Sequence, residues 1–343
     1  MTVRINARNR AHAFDASAGE SILYAGLRQG LSLPYECASG TCGTCKARLL
    51  SGEIENHWPQ APGGKLLKAA DEFLMCQCSA RGEVSVEVTA FVHETPAGTF
   101  VPRPLGAKIA AATMLAPDVL QLDVQLERGL EFDAGQFVLV RVPGIDGWRG
   151  WSMVNYARNP QTLRFVVKNK PGGGLSDWLF SAPRAGSTVE VFGPLGSATF
   201  HPSLGKDIVC IAGGSGIAGM MSILARAEQD GYFVHHSGDV FFGVRTLRDA
   251  FYLDEFTRLR QRCGERLRVT IALSDEAAAP NAAHPLLAFE TGLVHEVAQR
   301  ALNGRLEGVR AYLAGPPPAV DASVRMLLMA RVSTANIRYD KFS

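Results

Sequence analysis

The chain has 343 residues, 47% of them apolar and 20% charged. At roughly 100 to 200 residues per domain this is enough for two or three domains, and it excludes a peptide, a disulfide miniprotein and a disordered chain. The formal net charge of +2 gives no sign of a nucleic-acid binder. Of the 7 cysteines, all but Cys210 and Cys263 fall between Cys37 and Cys78. An odd, clustered set is a poor disulfide plan and points to metal in a reducing compartment.

The first residues, MTVRINARNR, are polar and basic with no apolar run after them, so no secretory signal and a cytoplasmic location are expected. Residues 1–92 form the first predicted domain. They close on Glu83 to Val88, whose strict alternation predicts a half-buried strand. Residues 93–104 read as a linker, because Pro96, Pro102 and Pro104 remove backbone donors and no apolar period offers a core to join.

From 105 to 203 short apolar runs (Val119 to Leu126, Gln136 to Val142, Leu163 to Val167, Thr188 to Phe192) alternate with Gly/Pro turns, which predicts a small antiparallel barrel or sandwich. From 204 to 343 strand candidates (Asp207 to Ala212, Val240 to Gly243, Arg268 to Leu273, Val309 to Ala314) alternate with helical patterns such as Gly219 to Gln229. This is the signature of βαβ units and a parallel sheet. The uncharged stretch Ile208 to Ala225 is interrupted by four glycines and two serines, so it reads as strand, loop and helix and not as a membrane span.

Cys37, Cys42 and Cys45 have the C-x4-C-x2-C spacing of a plant-type [2Fe-2S] centre, with a downstream cysteine to complete the set. Gly40 and Gly43 let the loop curl so that backbone N–H groups point at sulfur. Four thiolates also satisfy zinc, but zinc modules usually use two Cys-x2-Cys knuckles and only one is present. Cys76 and Cys78 are both candidates for the fourth ligand, and on an extended segment they would share a face.

YECASGTCGTC and FLMCQC resemble the two ligand segments of plant-type ferredoxins, and the rest of the chain resembles the flavin and nicotinamide domains of the ferredoxin-NADP reductase superfamily. The three in this order resemble the reductase components of multicomponent bacterial oxygenases, of the benzoate dioxygenase and soluble di-iron monooxygenase kind. The resemblance spans essentially the whole chain. It implies an N-terminal β-grasp [2Fe-2S] domain, an antiparallel β-barrel binding FAD and a C-terminal parallel-sheet, Rossmann-like NAD domain. The implied activity passes electrons from NADH through FAD to the cluster, and on to an oxygenase component or an intermediary ferredoxin. Leu74-Met-Cys76-Gln77 matches the family's L-x-C-Q, which assigns the iron to Cys76 and leaves Cys78 as a small buried hydrophobe.

The same resemblance assigns the flavin site. Arg149, Trp151, Ser152 and Asn155 fall on an R-x-Y-S motif. The arginine offers a fork to the pyrophosphate, the ring a stacking face and Ser152 a hydroxyl for flavin N5. Trp151 stands where the family usually has tyrosine and keeps the face without the phenol. Gly174, Leu175 and Ser176 belong to a glycine-rich phosphate loop in which Ser176 is expected to cap a helix.

For the nicotinamide, Gly213, Gly214, Ser215 and Gly216 lie between a strand and a helix, where a pyrophosphate can sit over the helix N-terminus. Ser215 is not a hydrolase nucleophile, since Ile217 occupies the last glycine position of G-x-S-x-G. Arg245 follows the family's G-x-R strand, and Gly315 and Pro316 match its C-G-P-P turn with Ala314 in place of the cysteine. Ser274 and Asp275 stand where NADPH-using relatives carry Ser-Arg. Tyr339 to Phe342 resemble the terminal aromatic segment that covers the flavin. Neither membrane nor nucleic acid is an expected partner. The competing readings are a zinc-stapled binding protein without catalysis and a reductase of free ferredoxin or small acceptors.

Overall fold

The computed structural model describes residues 1–341. They group into two compact units, the first made of residues 1–107, 138–150 and 188–195 and the second of the remaining described residues. This partition does not follow consecutive segments, because two stretches of the middle segment belong with the N-terminal part. The strands that were expected to form the barrel make one six-stranded sheet, ordered Arg149–Ser152, Phe137–Arg141, Thr188–Leu195, Arg103–Ala116, Val119–Leu126, Thr162–Lys168. The last two pair antiparallel, with Leu122 opposite Phe165.

In the first unit a five-stranded mixed sheet runs Ala11–Asp15, Thr2–Asn6, Val84–Glu87, Lys46–Ser51, Glu72–Leu74. Thr2–Asn6 pairs parallel with Val84–Glu87 and antiparallel with Ala11–Asp15, which gives the β-grasp arrangement. The expected alternation is present: Val84 and Val86 are buried, while Ser85 and Glu87 turn outward. Helix Ile22–Arg28 starts at Ser21, whose hydroxyl accepts from the Tyr24 N–H at 3.3 Å and so satisfies one of the orphan donors of the first turn.

The expected linker is tied down more than its composition suggests. Thr95 N donates to Gly30 O and Ser32 N to His93 O. The strand Arg103–Ala116 already begins inside it, with Pro104 at the second position, where a missing donor is tolerated.

The C-terminal sheet of the second unit is six-stranded, in the order Ala288–Thr291, Leu267–Leu273, Gly238–Val244, Ile208–Gly213, Arg310–Gly315, Ile337–Lys341, and every neighbouring pair is parallel. Both faces are covered. Ile208, Cys210 and Ala212 point into one core, while Val209 and Ile211 point into the other, so the strands read as continuous apolar runs. The first core also takes in Ala116, Val119, Val154 and Val166 of the flavin segment. Chain order reverses at Ile208–Gly213, which makes its C-terminal end the topological switch point where ligands of open α/β sheets bind.

Helix Ile217–Gln229 fastens the flavin segment to this sheet through Ser222. The fully buried hydroxyl accepts from Gly135 N at 2.8 Å and donates to Gly219 O at 2.9 Å. Ser222→Ala leaves a buried N–H without a partner, at a cost of about 1 to 3 kcal/mol. The variant should therefore melt at lower temperature in calorimetry, with iron-sulfur absorbance at room temperature unchanged.

Candidate functional site

The loop after Tyr35 carries three of the thiols and is held open by left-handed residues: Ala38 (φ 52), Gly40 (φ 88) and Gly43 (φ 75). These conformations turn successive amides inward. Ser39 N, Thr41 N and Cys42 N lie 3.3 to 3.4 Å from Cys37 Sγ, and Cys37 N and Thr44 N lie 3.5 Å from Cys42 Sγ. Hydrogen bonds from Cys42 and from these amides hold the Cys37 thiol well below the ordinary thiol range, because they favour its ionised form.

The second thiol pair is buried, with Cys45 Sγ 3.2 Å from Cys76 Sγ. Among the described residues no three Cys, His, Asp or Glu side chains converge on one point. Cys45 and Cys76 make one close thiol pair, and Cys37 with Cys42 makes another. Amide-rich surroundings of this kind favour a negatively charged iron-sulfur centre.

A turn separates Cys76 from Cys78. Gln77 N donates to Leu74 O at 2.9 Å, so the segment is not extended and the two side chains do not share a face. Cys78 instead lies on the strand Cys78–Ala80, and burial pushes its thiol up to about 12. Two supporting residues were not foreseen. Gln77 Nε2 reaches Cys76 Sγ at 3.3 Å, and the buried Tyr24 hydroxyl donates to Ala38 O at 2.8 Å while its ring stacks on Phe192 at 4.6 Å. Gln77 belongs to the L-x-C-Q motif and could have been found there. Tyr24 sits in a helical apolar run that carries no such signal.

Arg149 lies in the first unit, half-buried, with its guanidinium 5.0 Å from the centroid of Trp58 and Nη1 donating to Trp148 O at 3.0 Å. Burial lowers its pKa. Among the described residues it has no carboxylate partner within ion-pair distance.

In the second unit Trp151 is buried, its ring tilted against Phe165 at 5.5 Å. Ser152 is 7% exposed, and its hydroxyl has no hydrogen-bond partner among the described residues. The Asn155 carboxamide is engaged by its neighbour strand, donating to Thr162 O and accepting from Arg164 N. Ser176 does not cap its helix. The helix Gly174–Ser181 starts from Gly173, and the Ser176 hydroxyl donates to Lys170 O at 2.6 Å and accepts from Lys170 N at 3.2 Å. Inside the first turn, a serine can close the preceding loop better than it can reach forward to cap. Leu175 anchors that turn in the core.

At the switch point, Gly213 to Gly216 lead into helix Ile217–Gln229, which has neither a side-chain cap nor an acidic residue in its first turn. The Ile217 N–H is taken by Gly214 O and Ser215 O, and an uncapped helix start of this kind favours an anion. A Cβ on Gly216 would lie 2.5 Å from Ala314 O, and one on Gly219 would lie 3.6 Å from Ser152 Cβ. Gly315 (φ 139) and Pro316 complete the facing turn. The glycine loop, the Ala314 turn and Ser152 are thereby brought together.

Arg245, at the end of the next strand, is exposed and lies 3.7 Å from Asp118 and 3.8 Å from Asp249. Ser274 donates to Asp275 Oδ1 at 2.6 Å, and Asp275 N donates to Arg245 O at 2.8 Å. The terminal segment is not frayed, since Ile337–Lys341 pairs in parallel register with Arg310–Gly315. Phe342 lies outside the described residues. His236 stacks on Tyr232 at 4.4 Å and Cys210 is fully buried.

A paired-thiol loop ahead of a flavin-type sheet and a dinucleotide sheet with its anion site at the switch point define a flavin- and iron-sulfur-dependent NAD oxidoreductase. Residues 5–81 match the 2Fe-2S iron-sulfur cluster binding domain, 106–200 the oxidoreductase FAD-binding domain and 210–325 the oxidoreductase NAD-binding domain. The chain is 33% identical to the ferredoxin–NAD(P)+ reductase CarAd of Metapseudomonas resinovorans, over 95% of each chain. It is 30% identical to the xylene/toluene monooxygenase electron transfer component XylA of Pseudomonas putida, over 98% of this chain and 93% of that one. The solved structure of the ferredoxin reductase in carbazole 1,9a-dioxygenase superposes with a TM-score of 0.84 at 31% identity, covering 100% of this chain and 99% of that one. The chain belongs to this family of ferredoxin–NAD(P)+ reductases, the electron-transfer components of oxygenase systems, and its cofactors are [2Fe-2S], FAD and NADH.

Cys76→Ser should lose iron and sulfide or strongly change the reduced-state EPR signal, while NADH still bleaches the flavin. Cys78→Ser should keep both iron content and signal. The reverse pattern would move the ligand to Cys78.

Proposed function

We propose that this reductase takes a hydride from NADH at the Ser152 side of the switch point and delivers electrons one at a time, through a cluster on Cys37, Cys42, Cys45 and Cys76, to an oxygenase component or its ferredoxin. The observation that carries this reading is the meeting of Gly219, Ser152 and the Ala314 turn. It puts the unengaged hydroxyl of a largely buried serine beside the glycine loop that would hold the dinucleotide. Bound FAD supplies the conversion between two-electron and one-electron transfer.

In this reading the residues themselves bind and orient. Gly213 to Gly216 and the N-terminus of their helix receive the NADH pyrophosphate, and Gly315 with Pro316 walls the nicotinamide. Ser152 donates toward flavin N5, Trp151 offers its face to the flavin ring, and Gly174 and Leu175 hold the loop that Ser176 closes. Arg149, by the family's motif, would offer its fork to the FAD pyrophosphate. The clustered thiols, all free, support a reducing, cytoplasmic setting. No helix among the described residues is long and apolar enough to cross a membrane.

Purified protein should carry iron, sulfide and FAD, and should reduce a one-electron acceptor with NADH. Adding an oxygenase component, with and without a small ferredoxin, identifies the acceptor. A colourless preparation containing zinc and no flavin would overturn the reading.

NADH should be preferred to NADPH. Asp118 and Asp249 already offset the charge of Arg245, and the Glu276 carboxylate accepts from Leu247 N at 3.0 Å beside Asp275. The region therefore repels a 2′-phosphate and can accept from a ribose hydroxyl. A higher kcat/KM for NADPH would refute the assignment, and Asp275→Arg should narrow the gap.

Trp151→Ser should release FAD on dialysis while cluster absorbance stays intact, since stacking contributes roughly 0.5 to 1.5 kcal/mol beyond the buried area. Trp151→Tyr should retain flavin almost like the parent, and equal retention by the serine variant would argue against stacking.

A further inference from the structure

Trp58 lies in a stretch between the short strand Ile54–Asn56 and the 3-10 turn Pro62–Leu66, within the cluster-binding domain. It is only half-buried, yet it is firmly placed. Its N–H donates to Asn56 Oδ1 at 3.0 Å and its carbonyl accepts from Ala61 N at 3.0 Å. The preceding His57 N donates to Gln77 O at 2.9 Å, and Gln77 in turn contacts Cys76 Sγ. The backbone that carries the indole is thus tied to the turn that carries Cys76.

Its face is covered by Arg149. Gly147 (φ 76) makes room for the stack, because a Cβ there would meet Trp58 ring atoms at 2.6 Å and Arg149 Nη1 at 2.7 Å. A guanidinium stacked on an aromatic ring uses its face and leaves its in-plane N–H groups free. Nη1 is engaged by Trp148 O, so the donors at Nε and Nη2 remain in one plane for a bidentate anion. A half-buried cation held over a ring, with Asp146 near but no carboxylate within ion-pair distance among the described residues, is suited to receive an anion.

We propose that Trp58 is a positioning residue for FAD. By holding the Arg149 guanidinium over its ring, Trp58 sets how well Arg149 binds the flavin pyrophosphate. The proposal rests on the reading of Arg149 as that anchor.

The test uses full-length protein stripped of flavin, with the dissociation constants of FAD and riboflavin measured by fluorescence and the cluster followed by visible circular dichroism. Trp58→Ala, and Trp58→Leu as the variant that keeps bulk without a π face, should weaken FAD about tenfold, with riboflavin, which has no phosphate, nearly unaffected. Trp58→Phe should recover most of the affinity, and in an Arg149→Ala background loss of Trp58 should have no further effect. Unchanged FAD affinity in the Trp58 variants, alongside a clear loss in Arg149→Ala, would overturn the positioning role and leave the anchor standing. Unchanged affinity in Arg149→Ala would remove the anchor itself. Equal weakening of FAD and riboflavin, or a loss that persists in the Arg149→Ala background, would reduce Trp58 to general packing and overturn the proposal.

Discussion

The nicotinamide half of the molecule depends on a missing side chain. At the switch point the backbone of Gly216 passes so close to the Ala314 carbonyl that a Cβ would sit 2.5 Å from it, a separation that real Cβ atoms do not tolerate. This contact lets the two loops of the parallel sheet close on each other and aims the first turn of helix Ile217–Gln229 at the space between them. That helix then meets the flavin segment through Gly219 and Ser222. The glycine loop and the contacts to the flavin segment thus share the N-terminal half of one helix, and their spacing is fixed by packing in a shared core and not by a flexible linker.

At the other end the organising force is electrostatic. Thiolates carry charge that an apolar interior would reject, and the loop answers with amides and not with cations. Left-handed Ala38, Gly40 and Gly43 turn those amides inward, and the Tyr24 hydroxyl, bonded to Ala38 O, fixes the strained residue that starts the curl. A non-glycine residue in that conformation persists only when its surroundings hold it, and Tyr24 is itself locked by stacking on Phe192.

What could be read in advance follows from how local each signal is. The cysteine spacing, the alternation at Val84 and Val86 and the glycine loop between strand and helix are set by neighbours in sequence, and each was legible. Strand Arg103–Ala116 was obscured because its prolines read as a stiff linker and its middle, from Ala110 to Met114, is exposed on both faces. Ser176 was misjudged for a related reason. A serine near a helix start is usually a cap, but here the preceding loop folds back to within reach of its hydroxyl. The stacking of Arg149 on Trp58 was invisible, since no periodicity links residues from two separate segments.

The alanine at position 314 also determines where sulfur chemistry is possible. Reactive cysteines need exposure and thiolate character. Cys210 has neither, being fully buried and pushed up to about 12, and burial raises Cys263 as well. With no thiol at the turn of Ala314, the thiol with the most ionised character is Cys37, in the loop of the first unit. Oxidative damage should therefore sever the outgoing branch of the electron path first, leaving a protein that still oxidises nicotinamide but no longer serves its acceptor.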